Sequence, residues 1–203
     1  MKRILAIILS AVILLSFTAC SSESEPEFSL GTVNGSVYEN AFIGIGCDLG
    51  SEWTYFSDEQ IMEQNNVAAN LAGEEYRKQM LTATVIYDMF ASHSNQVSTI
   101  GVNLEKINAL SVFNIDSYLE DAVPSIKLGL GNMGFTNITH NIGKVKIGSE
   151  NFHCLNVVSE LGEFKMHQTI VAIKCNGYLA CVTFSSDSVE SIDAAMECFY
   201  LIP

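Results

Sequence analysis

Four histidines, His93, His140, His153 and His167, and six cysteines are the residues of this chain best suited to metal ligation, acid–base work or nucleophilic attack. Their spacing argues against most of those uses. No two histidines stand at a short ligand spacing such as HExxH, so a metal would need the fold to gather them from distant segments. His153 and Cys154 are neighbours, but on a strand adjacent side chains leave opposite faces and could not easily share one ion. Cys175 and Cys181 flank Asn176-Gly177. A two-residue turn there sets Lys174 opposite Leu179 and Ala172 opposite Cys181, which puts the two thiols out of register for a bridge or a simple zinc site. Cys47, Cys154, Cys175, Cys181 and Cys198 are therefore read as free thiols that pack as small apolar side chains.

Gly129-Leu130-Gly131-Asn132-Met133-Gly134 spells GxGxxG, with Glu150 about 20 residues past its start. In a dinucleotide site a strand delivers those glycines and a helix follows, aiming its first amides at pyrophosphate. Here the periodicity puts a helix before the glycines and a strand after them, so they are expected to end a helix. No GxSxG, Walker or SxxK string occurs. Carboxylate pairs such as Asp58-Glu59, Glu74-Glu75 and Glu120-Asp121 diverge by about 100 degrees on their predicted helices and read as solvated faces. Trp53, Tyr55 and Phe56 form the densest aromatic group; they are expected to pack a strand-to-helix corner, with a binding floor as the other use. No catalytic residue, metal ligand or cofactor is expected. A hydrolase site assembled from distant histidines with Ser, Asp or Cys is the alternative that a lone sequence leaves open.

One further cysteine differs in kind. Lys2 and Arg3 precede an apolar run from Ile4 to Phe17, too short to span a bilayer comfortably, and Phe17-Thr18-Ala19-Cys20 closes it. Residues 1–19 read as a secretory signal. The small residues before Cys20 and the polar stretch Ser21-Ser22-Glu23-Ser24-Glu25-Pro26-Glu27 after it resemble the lipobox of bacterial lipoproteins, with Phe17 where leucine is usual. That resemblance implies that Cys20 becomes the lipidated first residue and holds the chain at the outer face of the cytoplasmic membrane. Residues 20–28 are then a flexible tether and 29–203 a single globular domain. After removal of residues 1–19 the chain keeps 8 basic and 23 acidic residues, a formal charge of −15. Such a chain gains no counterion release from a polyanion, so nucleic acid is not an expected partner, and membrane attachment rests on the lipid alone.

The elements that must position these residues alternate early helices with a long run of strands. Strands are expected at 28–33 and 41–49, with Asn34-Gly35 as a turn signal. Ser57-Asp58-Glu59-Gln60 is a capping box that opens a helix to about Asn70, and a second helical stretch runs to about Leu81. Segments 82–91 and 97–107, rich in Val, Ile, Thr, Tyr and Phe, are expected to pair antiparallel around Ser92-His93-Ser94-Asn95. Asn114 or Asp116 caps the next helix, which Pro124 should start, kink or split. Strands follow at 135–141, 144–147, 152–160, 164–174 and 178–185. A last amphipathic helix, capped by Asp187 and carrying Val189, Ile192, Met196 and Phe199, should lie across the sheet.

The fold class is accordingly mixed α and β, a twisted, mainly antiparallel sheet covered by helices. The order Val37-Tyr38-Glu39-Asn40, Phe42-Ile43-Gly44-Ile45, Gly50-Ser51-Glu52-Trp53, the helix opened at Ser57 and the long meander into a C-terminal helix resembles the Mog/PsbP-like α/β/α sandwiches over residues 37–201. Small lipoproteins of anaerobic gut Firmicutes, many of unknown function, share that outline. The resemblance implies a binding or accessory module without catalytic residues, whose partner is another envelope protein or a small extracellular ligand.

Overall fold

The computed structural model describes residues 28–65, 80, 83–107 and 114–202. Among the described residues eleven strands form two antiparallel sheets. The smaller contains β1 (Thr32–Asn34), β2 (Val37–Asn40), β3 (Ile45–Asp48) and β11 (Phe199–Leu201) in the order β1-β2-β3-β11. The larger is built from β4 (Trp53–Tyr55), β5 (Val85–His93), β6 (Thr99–Lys106), β7 (Thr136–Ile147), β8 (Glu150–Leu161), β9 (Phe164–Cys175) and β10 (Tyr178–Ser186), ordered β4-β5-β6-β10-β9-β8-β7. Three helices are described: α1 (Asp58–Gln64), α2 (Ile115–Asn132) and α3 (Val189–Glu197).

β10 lies at the centre of the large sheet and is apolar on both faces, as a strand covered on both sides must be. Tyr178, Ala180, Val182 and Phe184 join one cluster with Tyr38, Ile45, Ile100, Ile192 and Phe199. Leu179 and Cys181 join the other, with Leu119, Val123, Leu155 and Val157. The first face is thus covered by the small sheet together with α3, and the second by α2. Helices do lie on both faces, but a second sheet fills most of the layer expected to be helical, because β1–β3 and β11 pair with one another across the length of the chain.

Turn and cap chemistry behaves as its residue types dictate. Asn176 and Gly177, both at positive φ, close β9 onto β10 with Lys174 opposite Leu179 and Ala172 opposite Cys181. That is the register expected of a two-residue turn. Ser57 accepts from the Gln60 amide while the Gln60 side chain accepts from the Ser57 amide, completing the capping box. α1 is described to Gln64; the remainder of its expected length and most of the second helical stretch lie outside the described residues.

Several expectations need correction. Pro124 neither splits nor starts α2, which runs unbroken from Ile115 to Asn132. Pro124 is exposed, so the Glu120 carbonyl it leaves without an amide donor can turn to water. The two short strands expected at 135–141 and 144–147 are one strand, β7, because Gly143 stays in the ladder opposite Cys154. The N-cap of α3 is Ser188 rather than Asp187, and Phe199 leaves the helix face to pair with Cys47 in β11. Val189 is exposed. Finally, Phe28, placed at the end of the tether, is buried in the core against Phe42 and Tyr178 at centroid distances of 5.3 and 5.2 Å.

Candidate functional site

The side chains that converge on the surface do so where α2 crosses the β7–β8 end of the large sheet. Asn114 caps α2 by accepting from the Ser117 amide, which fixes the rotation of the first turn. Leu119 and Val123 point into the core, so Asp116 and Glu120, one turn apart, stand together along the edge of the helix. Each meets a histidine of the sheet. The His153 Nδ1 lies 2.5 Å from the Asp116 Oδ1, and the His140 Nε2 lies 3.6 Å from the Glu120 Oε1. Asp116, Glu120 and His140, with Ser117, Asn141 and Ile142, border an open cleft of about 470 Å³. On the same face the Tyr118 hydroxyl donates to Glu105, and burial together with that carboxylate raises the phenol well above its usual range.

This is a polar, carboxylate-rich hollow lined by the His140 imidazole, with the His153–Asp116 pair at its side. It can accept hydrogen bonds from a cationic or multiply donating group. Among the described residues no three His, Cys, Asp or Glu side chains come together to hold a metal ion. His140 and His153 sit four rows apart in the ladder, opposite Val157 and Lys144 respectively, so each has its own carboxylate and the two do not share a centre.

The other sequence candidates are dispersed. His93 lies beside Trp53, ring centroids 5.0 Å apart and nearly edge-on, its Nδ1 accepting from the Asn95 amide and its Nε2 3.8 Å from Glu52. Trp53 is half-buried and packs on the main core, as a corner residue should, while also lining a hollow of about 280 Å³ with Leu49, His93, Ser191 and Cys198. Phe56 stacks at a tilt on Phe90, centroids 4.6 Å apart, and the Tyr55 hydroxyl donates to the Ser36 carbonyl at 2.9 Å. The five cysteines Cys47, Cys154, Cys175, Cys181 and Cys198 are free. Burial pushes the Cys47 and Cys175 thiols up to about 11, and burial with the Glu105 carboxylate pushes Cys181 to about 12, so these remain thiols. Cys20 lies outside the described residues.

The glycine string ends α2. The Phe135 amide donates to the Leu130 carbonyl at 3.0 Å and the Gly134 amide to Gly131 at 3.0 Å, with Gly134 at φ 91. That hydrogen-bond pair is a Schellman motif, and its usual apolar contact is supplied by Leu130 and Phe135 in one cluster. No helix N-terminus follows the glycines to meet a pyrophosphate.

Sequence reading missed one constellation altogether. Asp88 is the extra residue of a bulge between Tyr87 and Met89 in β5, and its carboxylate reaches across to the small sheet. Asp88 Oδ1 accepts from the Gly31 amide at 2.8 Å; Oδ2 accepts from the Tyr38 hydroxyl at 2.5 Å and the Asn40 Nδ2 at 2.7 Å. Asn40, fully buried, is itself oriented by the Phe42 and Ile43 amides on its Oδ1. The constellation joins the N-terminal segment and both sheets. Nothing in the local sequence marks Asp88 except a carboxylate among apolar strand residues.

Antiparallel sheets in this order, with α2 on one face and α3 beside a small sheet on the other, define a PsbP-like fold. The chain is similar over 92% of its length to the solution structure of cyanobacterial PsbP (CyanoP) from Synechocystis sp. PCC 6803, 99% of which is covered, with a TM-score of 0.50 and 11% sequence identity. No family model and no curated protein matches the sequence.

Proposed function

We propose that this chain is a binding or accessory module, held at the outer face of the cytoplasmic membrane by a lipid on Cys20 and used to engage an envelope protein or a small extracellular ligand. The observation that carries the reading is how the histidines are used. His93, His140 and His153 close on Glu52, Glu120 and Asp116, which makes holding sites for polar or cationic groups rather than bases poised over a nucleophile. The lipobox-like leader and the PsbP-like fold, shared with small envelope lipoproteins, support the same reading. Residues 20–27 serve as the spacer and the domain begins at Phe28.

Two measurements test it. Metabolic labelling with a palmitate analogue should mark the wild-type chain, while Cys20→Ser should lose the label and leave the membrane fraction. A photo-cross-linker at Ser117, in the acidic cleft, should give a discrete adduct that disappears when Asp116 and Glu120 are changed to Asn and Gln. An unlabelled wild-type chain would remove the anchor, and substrate turnover that is abolished by His140→Ala would replace binding with catalysis.

A further inference from the structure

The two ends of the large sheet are finished differently. At one end β4 is three residues long, and beyond it the Asn65 carboxamide brackets the Tyr87 backbone, donating to its carbonyl at 2.7 Å and accepting from its amide at 2.8 Å. That edge is closed. At the other end β7 runs for twelve residues and, among the described residues, is paired in the sheet only with β8. A long strand whose outer amides and carbonyls lack a ladder partner is a template for another strand.

We infer that β7 is a self-association edge, on which a second copy of this chain adds its own β7 antiparallel and extends the sheet across a two-fold axis. Charge selects this occupant. The only charged residues of β7 are Lys144 and Lys146, although the mature chain holds just 8 basic residues against 23 acidic ones. Lys144 shares the α2 side of the strand with His140 and Ile142, as the pairing of Lys144 with His153 and Ile142 with Leu155 shows. Beside them stand the carboxylates of Asp116 and Glu120. One edge thus carries both signs, which is what an isologous interface requires.

The lysines also choose the register. Centring the two-fold on Lys144 or Val145 sets lysine against lysine. Centring it on Ile142 stacks the two Ile142 side chains at the axis and places Lys144 of each copy opposite His140 of the other, within reach of Glu120. A two-fold perpendicular to the joined sheet keeps equivalent faces together. Both Phe28 residues then lie on the same side, as two anchors in one bilayer require, although the pairing itself does not depend on lipidation.

Sedimentation equilibrium of the full chain in density-matched detergent tests the inference. The expected result is a reversible dimer that Lys144→Glu and Glu120→Lys each weaken by roughly tenfold, since every contact occurs twice across the axis. The double variant Lys144→Glu/Glu120→Lys should restore it. Both residues are exposed, and unchanged melting of each variant separates lost pairing from lost folding. A wild-type chain that stays monomeric throughout, or a dimer indifferent to both reversals, overturns the inference; in the monomeric case the edge is left for a strand of a different protein.

Discussion

Asp88 offers the sharpest test of how the two sheets are joined. Its carboxylate receives three donors: the Gly31 amide, the Tyr38 hydroxyl and the Asn40 amide nitrogen. Asp88→Ala leaves all three without an acceptor in a site where Tyr38 and Asn40 are fully buried. Each unmet donor costs about 1–3 kcal/mol; because the site is only part-buried and relaxation recovers some of the loss, the expected total is about 3–5 kcal/mol. Asp88→Asn should cost less, about 1–3 kcal/mol. With its carboxamide oxygen in the place of Oδ2 it keeps Tyr38 and Asn40, and only its NH₂ faces the Gly31 amide, donor against donor. Urea unfolding of Asp88→Ala, Asp88→Asn and Tyr38→Phe, with the Asp88→Ala/Tyr38→Phe double variant, measures these terms at constant slope. The cycle should show a coupling of about 1.5–3 kcal/mol for a hydrogen bond to a charged acceptor. An Asp88→Ala loss below about 1 kcal/mol, or Asp88→Asn as costly as Asp88→Ala, would refute the assignment of this carboxylate as the joint.

The same residue sets a pH dependence: burial holds the Asp88 carboxyl above its ordinary value of 3.8 despite its three hydrogen bonds. The folded chain therefore binds that proton more tightly than the unfolded one, so this contribution to stability is full below the unfolded value and falls as pH rises through the folded one. Asp88→Asn should flatten that slope in melting curves taken across the acid range. Trp53→Ala should cost about 2–3 kcal/mol in urea unfolding, less than a fully buried tryptophan, because the ring is half-exposed. Gly134→Ala should cost about 1–2 kcal/mol, from the left-handed backbone at φ 91 rather than from crowding, since its Cβ would meet Leu161 Cδ1 at an ordinary 3.4 Å. Thiol titration of the folded chain should reach Cys175 and Cys198 first and all five free cysteines on denaturation. A sixth reactive thiol in the mature chain would mean that Cys20 carries no thioether-linked lipid.

What the sequence determined by itself is whatever a few neighbouring residues decide. Asn176-Gly177 sets the β9–β10 register because both residues accept the positive φ that a tight hairpin needs. Ser57 with Gln60 opens α1 because the partners of the capping box are three residues apart. The same locality made the glycine string readable as a helix end. Where a second force competes, local reading fails: Pro124 stays inside α2 because the buried side chains Leu119, Val123 and Leu130 hold the helix to the sheet on both sides of it. Gly143, which reads as a break, is carried through β7 by its ladder with β8.

The candidate site was legible only in its ingredients. His140 and His153 were visible, but their carboxylates were not, since Asp116 lies 37 residues from His153 and joins it only when α2 docks across β7 and β8. The Asp88 joint spans 57 residues to Gly31, and the small sheet pairs β3 with β11 at the far end of the chain. Such contacts depend on which faces are buried against each other, a property of the whole packed chain, whereas caps and turns are decided by backbone geometry within a few residues.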